Sequence, residues 1–471
     1  MRTRTRRALV SGLLLAAFVG AAQAAERDVF PFPAHGRTLA NGMQVVAIPF
    51  DSPGIVAYVT VVRTGSRDEV EPGHSGFAHF FEHIMFRGTE KYPAAKYNDV
   101  LKRMGADSNA FTSDDTTVYH IVGPSAELET MFDIESDRFA NLKYTEEVFR
   151  TEAGAILGEY CKNVASPTLP MFEKLRDLAF DAHTYQHTTM GYLADIKQMP
   201  EEYQYSLSFF DRYYRPDNVS LVVVGDVEAE RVFALAERHY GAWKKGYQPP
   251  AVKPEGAPQG PRREHLTWPT PTNPYLMMGW RAPAFAPDRD NAALLVLEQL
   301  LFAESAPLYQ ELVVEKQWVD SISGGTSARR DPYLFSVFSV VREVGLLPQV
   351  EGAIERHLAA LRETPVDAAR LERVKSHLRY RYALGLSTPR AVAMEVAEAL
   401  WLTGDVAAIN RTWVEIDAVT PADVQRVARQ VFDERARSIV TLAHEAAKPA
   451  EGEAPQGAQQ PPGAQQPGCA R

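Results

Sequence analysis

The strongest constraint in this sequence is the stretch from residue 73 to residue 86, where His79 and His83 stand four residues apart with Glu82 between them. Positions i and i+4 of an α-helix share one face about 6 Å apart, so the two imidazoles can bind one ion. Glu82 lies close enough to reach a water on that ion without being a ligand. Gly88 follows the run, as expected at the end of a helix of about 12 residues. The pattern predicts a metal-activated water that attacks a carbonyl group.

Two histidines leave a catalytic zinc ion one protein ligand short, because such sites use three protein ligands and a water. The helical segment from residue 146 to residue 161 offers two carboxylates, Glu152 and Glu159, seven residues apart. Seven residues are nearly two helical turns, so both side chains share one face about 10 Å apart along the axis. Paired glutamates on a helix are more often a solvated surface, and the spacing alone leaves both interpretations open.

Residues 1–24 have the pattern of an export signal. Four arginines open the chain, an apolar core spans residues 8–21, and residues 22–24 form a small-x-small cleavage site. We therefore expect an exported protein, periplasmic or secreted, whose export route the sequence leaves open. The apolar run is shorter than a membrane span of about 20 residues, so we expect no stable span after cleavage. An uncleaved anchor is the alternative.

The charge and the cysteine content bear on partners and on disulfides. Removing the signal deletes four positive charges and no negative ones, so the formal net charge changes from −10 to −14. An acidic chain of this kind is a poor match for nucleic acid, whose phosphates are bound mainly by basic residues. The two cysteines are Cys161 in a helical segment and Cys469 in the tail, and we expect no structural disulfide between them.

The order of elements in the first half, residues 25–245, predicts an α+β fold. Two strands, then helices, then two more strands and further helices are typical of a mixed sheet with helices on one face. The predicted strands are 44–48, 55–63, 107–112 and 116–121, and the predicted helices include 91–104 and 125–142.

The second half repeats this order without the histidines. A Pro-rich linker over residues 246–264 precedes strands and helices predicted at 275–280, 289–302, 306–315, 318–327, 334–341, 347–363 and 366–384. We interpret the repeat as a diverged internal duplication of two related units, each a mixed, mainly antiparallel sheet packed with helices. The second unit is expected to span residues 265–445, and the Pro- and Gln-rich tail, residues 446–471, to be disordered.

Taken together, these motifs resemble the pitrilysin-like (inverzincin) zinc metallopeptidases, and in particular the short two-unit members related to mitochondrial processing peptidase. The resemblance rests on His79-x-x-Glu82-His83, on Glu159 after 75 intervening residues, and on Glu152 one heptad earlier. Three further segments resemble motifs of the family in the same order: GADSNAFT, the loop of residues 183–191 and FFDRYYRPDNVSLVVVGD.

The resemblance implies one zinc ion per chain, bound by His79, His83 and Glu159. It further implies that Glu82 acts as the general base and that Glu152 is a second carboxylate that steadies the site. Three protein ligands leave one zinc position open to water, whose pKa falls towards about 7 on the metal.

The resemblance also implies residues that bind the substrate. Asn109 and Ala110 would belong to an edge strand that pairs with the backbone of an extended peptide, and an ordinary strand with a small residue is the alternative. In the second unit, Arg329, Arg330 and Tyr333 invite comparison with the family's Arg and Tyr, which hold the substrate carbonyl and stabilise the oxyanion; Tyr333 is the favoured one of the three. Their spacing departs from the family pattern, and a charged turn before a strand is the alternative.

The expected activity is that of a zinc endopeptidase that hydrolyses short or unfolded peptides. Family members of this size pair two chains into a closed chamber, so the resemblance implies a homodimer or a heterodimer with a sister subunit that lacks the zinc motif. Two alternatives stay open, namely a non-catalytic peptide-binding or scaffold subunit, and a zinc hydrolase that acts on a non-peptide amide or ester.

Overall fold

The computed structural model describes residues 28–444 and Cys469. The predicted export signal, residues 1–24, lies outside the described residues, as does the predicted tail apart from Cys469. Within residues 28–444, each half of the chain forms one sheet with helices packed on it.

In the first half, six strands and eight helices form among the described residues. They are β1 His35–Thr38, β2 Gln44–Pro49, β3 Ile55–Val62, α1 Phe77–Ile84, α2 Ala94–Met104, β4 Asp107–Thr112, β5 Thr117–Pro124, α3 Leu128–Asn141, α4 Glu146–Asn163, α5 Thr168–Ala179, α6 Leu193–Gln198, α7 Tyr203–Tyr213, β6 Val219–Gly225 and α8 Ala229–Tyr240. The central strands are rich in valine, as expected for strands that are buried on both faces.

In the second half, five strands and seven helices form in the part of the chain that the structure describes. They are β7 Arg262–Trp268, β8 Tyr275–Ala282, α9 Arg289–Phe302, α10 Pro307–Tyr309, β9 Val319–Thr326, β10 Tyr333–Val341, α11 Leu347–Glu363, α12 Ala368–Gly385, α13 Pro389–Thr403, α14 Ala408–Ala418, α15 Pro421–Val431 and β11 Arg437–His444. A π-helical segment, Gln310–Glu315, continues α10. β7 begins inside the predicted linker, directly after its last proline, Pro261.

The two sheets have the same topology. The strand order is β1-β2-β6-β3-β5-β4 in the first sheet and β7-β11-β8-β10-β9 in the second. Without β1, the orders match strand for strand, and in both sheets the first pair is parallel and the other pairs are antiparallel. The predicted α+β class with two related units is therefore confirmed, and the shared topology supports an internal duplication.

The two units exchange helices. α5 from the first half packs on β8 and β11 of the second sheet, whereas α13 from the second half packs on β3 and β6 of the first. Val392 and Val396 of α13 therefore share a core with Val59 and Val222, and Leu175 of α5 packs against Gly279. Each unit thus covers the back of the other unit's sheet, meaning the face on which α13 or α5 packs. The two units therefore share a continuous packed interface.

One run in the second half has the length and composition of a membrane span. It covers Arg289–Glu315 and has a mean hydropathy of 1.3 over its best window. Of that window, 56% is buried inside the protein, where α9 packs on β9, α14 and α15. Such burial is typical of a core helix.

The expectation of no structural disulfide was wrong. Cys161 on α4 is bonded to Cys469, 308 residues further along the chain. Their Cα atoms lie 5.5 Å apart, within the range that a disulfide spans. Cys469 packs against the core of the first unit, a contact that its Pro- and Gln-rich surroundings in the sequence do not indicate.

The helix exchange makes a testable prediction. Leu175→Ala removes a side chain that is 1% exposed and should lower the free energy of unfolding by about 2–5 kcal/mol, because it leaves a cavity between the units. Leu207→Ala, at a side chain that is 39% exposed, should change it by less than about 0.5 kcal/mol. Denaturant unfolding followed by circular dichroism measures both, and equal effects would show that α5 is not part of a shared core.

Candidate metal centre

The histidine-bearing helix α1 is held at its N-terminus by a buried carboxylate. Glu69 accepts hydrogen bonds from the amides of Gly76 (2.8 Å) and Ala78 (2.7 Å). A carboxylate at this end satisfies amides that have no partner within the helix and interacts favourably with the helix dipole. Burial raises the pKa of Glu69 well above its usual value, whereas the two amides lower it. Glu69 therefore fixes the position from which the histidines project.

The loop that ends at Gly191 packs against the entry to α1. Gly191 has a φ of +81°, and a Cβ there would lie 2.7 Å from the backbone nitrogen of Gly76. The Ser75 hydroxyl donates to Asp195 (2.6 Å) and accepts from the amide of Tyr192 (2.8 Å). A side chain at Gly191 would push this loop away from α1, which explains why glycine is required at this close approach.

The structure brings the three predicted metal ligands together. Nε2 of His79 lies 3.8 Å, and Nε2 of His83 lies 3.5 Å, from Oε2 of Glu159. All three donor atoms lie within 4.8 Å of one another, although Glu159 comes from α4 and the histidines from α1. Ligands at about 2.0–2.2 Å from a tetrahedral zinc ion stand about 3.4 Å apart. The donor set therefore fits a single zinc ion.

The protonation of His79 suits metal binding. Burial and the neighbouring His83 lower the pKa of His79 to about 4, although Glu159 acts in the opposite direction. The ring is therefore neutral at pH 7, and neutral imidazole is the form that binds metals. Nδ1 of His79 is buried and has no hydrogen-bond partner among the described residues.

Glu152 lies two turns before Glu159 on α4 and is almost fully buried. One of its oxygens pairs with Arg87, while Oε2 is buried and has no partner in the described part of the chain. The structure records no direct contact between Glu152 and the three donor residues, so its steadying role stays a prediction.

Glu82 lies beside the donors and is held by a residue that the sequence analysis missed. The Thr112 hydroxyl donates to Oε2 of Glu82 at 2.7 Å. Burial raises the pKa of Glu82, while this hydrogen bond lowers it. A carboxylate with a raised pKa is suited to accept and return a proton near neutral pH. The only signal for Thr112 in the sequence is its position at the end of the strand that carries Asn109.

The strand β4 lies at the edge of the first sheet, as predicted for Asn109 and Ala110. β4 pairs with β5 on one side, and α1 packs close to it. The amide of Ala110 donates to the side-chain oxygen of its own neighbour Asn109 at 2.9 Å. An edge strand can add a further strand through its free backbone groups.

Arg329 and Arg330 lie at the interface between the units. Nε of Arg329 donates to Oδ2 of Asp114 at 2.8 Å, and the backbone amide of Arg330 donates to Asp115 at the same distance. Asp114 and Asp115 form the turn between β4 and β5, two to three residues after Thr112. These arginines therefore fix the turn that follows the edge strand.

Tyr333 is buried beneath two guanidinium groups. Those of Arg329 and Arg176 lie 5.1 Å and 5.3 Å from the centre of its ring. Among the described residues, no recorded contact joins Tyr333, Arg329 or Arg330 to the three metal donors. The structure thus shows the charged turn before a strand, and the substrate roles of these residues stay a prediction.

The fold and the donor set together define the class: two-unit α+β proteins with a His-x-x-Glu-His helix and a remote glutamate. Comparison with known proteins assigns the chain to the same class. The model of the insulinase family (peptidase family M16) matches residues 45–192, and the model of the peptidase M16 inactive domain matches residues 202–378. The chain belongs to peptidase family M16, which confirms the resemblance found in the sequence.

Individual relatives cover most of the chain. The zinc protease PqqE of Helicobacter pylori is 27% identical over 424 residues, which are 86% of this chain and 91% of that protein. The mitochondrial-processing peptidase subunit beta of Lentinula edodes is 23% identical over 413 residues, or 83% of this chain and 86% of that one. The crystal structure of a protease from Helicobacter pylori superposes with a TM-score of 0.83 at 26% identity, covering 88% of this chain and 99% of that chain.

The turn after β4 makes a second prediction. Burial alone would raise the pKa of Asp114, but Arg176 and Arg329 hold it well below its usual value. Asp114→Asn should therefore cost about 3–5 kcal/mol at pH 7, since it leaves two largely buried guanidinium groups without their carboxylate partner.

The sign of the pH dependence follows from the lowered pKa of Asp114. Its ion pairs stabilise the folded state fully above the unfolded pKa of about 3.9, and this stabilisation is lost as the pH falls further. The difference between Asp114→Asn and wild type in urea unfolding should thus shrink from pH 7 to about pH 3. Asp99→Asn, at an exposed carboxylate, should show little effect at either pH; a difference that is independent of pH would contradict the ion-pair explanation.

Proposed function

We propose that this protein is a zinc-dependent endopeptidase that hydrolyses short or unfolded peptides. The observation that carries the proposal is the convergence of His79, His83 and Glu159 within 4.8 Å, with Glu82 between the two histidines. Membership of a peptidase family and the similarity to a zinc protease support it.

The ligand set defines the roles of the other residues. His79, His83 and Glu159 would hold one zinc ion, which when bound polarises the substrate carbonyl and makes its water acidic. Glu82 accepts a proton from the attacking water and returns it to the nitrogen of the departing amine. Thr112 keeps the Glu82 carboxylate in place through its hydrogen bond.

Glu152 is proposed to steady the site through the first histidine. A histidine that binds a metal usually donates its other ring nitrogen to a carboxylate or a carbonyl. His79 Nδ1 and Glu152 Oε2 are both buried without recorded partners, on neighbouring helices α1 and α4. A hydrogen bond between the two atoms would satisfy both.

The edge strand β4 is proposed to bind the peptide backbone. An extended substrate would add a strand beside Asn109 and Ala110, replacing the internal bond from the Ala110 amide to the Asn109 side chain. Backbone pairing gives affinity with little dependence on side chains. This mode suits unfolded peptides of varied sequence.

We further propose that the enzyme is exported and works as a two-chain chamber. The pattern of residues 1–24 supports periplasmic or secreted localisation. The similarity to a protein named as a peptidase subunit supports a second chain, either a copy of this one or a sister without the zinc motif.

Two substitutions separate metal binding from catalysis. Glu82→Gln should retain zinc but lose turnover of an unstructured peptide by about 10²–10⁴-fold, because the proton acceptor is gone. Glu159→Ala should release zinc on dialysis, since two histidines alone are an incomplete ligand set. Elemental analysis and peptide cleavage assays measure the two effects, with Glu147→Ala on the exposed face of α4 as the control.

The outcomes distinguish the alternatives. Unchanged turnover in Glu82→Gln would remove this residue as the base. A zinc-loaded wild type that cleaves no peptide, alone or with a sister chain, would indicate a scaffold subunit. Mass spectrometry of a mixed peptide pool, run beside amide and ester substrates, separates a peptidase from a hydrolase of non-peptide bonds.

A further inference from the structure

The duplication places a second cleft at the position that corresponds to the metal centre. α9 follows β8 as α1 follows β3, and α12 is the second helix after the β9–β10 pair as α4 is after β4–β5. In the first unit, the helix pair α1 and α4 carries the metal donors. In the second unit, the pair α9 and α12 lines a cavity of about 410 Å³, together with α13 and α14.

The charged lining of this cavity is unbalanced. It contains three carboxylates, those of Glu298, Glu395 and Glu398, and one guanidinium group, that of Arg381. None of the three carboxylates takes part in an ion pair recorded among the described residues. The lining therefore holds three acidic side chains against one basic side chain.

The remaining walls suit an aliphatic chain that ends in a cation. The rings of Tyr382 and Trp413 stand 4.8 Å apart, and the Tyr382 hydroxyl donates to Glu395 at 3.0 Å. Oε1 of Gln299 is buried and accepts no hydrogen bond within the described part of the chain. Aromatic faces attract cations, and the stems of lysine and arginine pack well on apolar walls.

The titration of these carboxylates agrees with this description. Burial and the neighbouring Glu398 raise the pKa of Glu395 to about 7, while the Tyr382 hydroxyl lowers it. Burial also raises the pKa of Glu298, although Arg381 lowers it. Burial likewise raises the pKa of Glu398, although Arg329 lowers it. A carboxylate whose pKa is raised in this way gains from a bound cation, which stabilises its charged form.

We propose that this cavity binds the side chain of a lysine or arginine residue of a peptide. The proposal rests on the proposed function only in taking a peptide as the ligand. It adds an anchoring subsite, in the unit without the metal donors, that prefers basic residues.

A series of contacts links the cavity to the metal centre. Ala328 lines the cavity, and the next residue, Arg329, bonds to Asp114. Asp114 lies two residues after Thr112, which bonds to Glu82. The second unit therefore contains the cavity and also supplies Arg329, which holds the turn after β4. A basic residue bound in the cavity would lie in this same unit.

The test uses binding without turnover. In the full-length Glu82→Gln background, fluorescence anisotropy compares an unstructured labelled peptide that contains one lysine with the same peptide carrying norleucine there. The lysine peptide should bind about tenfold more tightly, and Glu395→Gln with Glu398→Gln should abolish this difference. Glu304→Gln, at an exposed carboxylate of the same unit, is the control and should preserve it. N-acetyl-lysine amide as competitor shows whether the side chain alone suffices.

The pH and the folding of the variants add independent checks. The preference for lysine should be present at pH 8 and weaken towards pH 6, because Glu395 then takes up a proton. Glutamine at these positions removes buried charge, so thermal unfolding midpoints should not fall; if the double variant fails to fold, Glu298→Gln replaces it.

Equal binding of the two peptides to the parent protein would overturn the proposal. So would an equal loss of the preference in Glu304→Gln, which would show attraction by overall charge. Because no step needs cleavage, a preference for lysine in a protein that hydrolyses nothing would leave this subsite standing while the proposed peptidase activity fails.

Discussion

The reciprocal burial of the two sheets is the constraint on which the rest of this structure depends. Neither half covers the back of its own sheet, and each uses a helix of the other half, α13 or α5, for that purpose. The apolar contact fixes the two units relative to each other. Only in this arrangement do Arg329 and Arg330 reach the turn after β4, which in turn holds the strand beside the candidate metal centre.

The metal centre is built from parts whose positions are set by buried polar contacts. Glu69 caps the helix that carries the histidines, and the Tyr119 hydroxyl donates to the carbonyl oxygen of Phe81 within it at 3.0 Å. Thr112 then orients Glu82 from the edge strand. A site of this kind needs little rearrangement to accept an ion, because its donors already stand near the required separations.

Much of this arrangement is predictable from sequence where the signal is local. The His-x-x-Glu-His spacing, the bounds of α9 and α11, and the repeated order of elements all follow from periodicity and short motifs. The helix exchange, the position of Arg329 and the bond between Cys161 and Cys469 depend on contacts between remote segments. Such contacts leave no periodic pattern in one sequence, which is why the burial of Tyr333 against Phe180 and Tyr185 of the first half could not be predicted.

The matched topology of the halves has a consequence for how such a chain could arise. Two copies of a single ancestral unit, each packing its fifth helix on the sheet of the other, would form a symmetric pair with the same cores as this single chain. Gene fusion would then join the partners without creating a new interface. Once joined, the two halves no longer had to be identical. The first could keep the residues that bind a metal ion, while the corresponding cleft of the second could change to bind a different ligand.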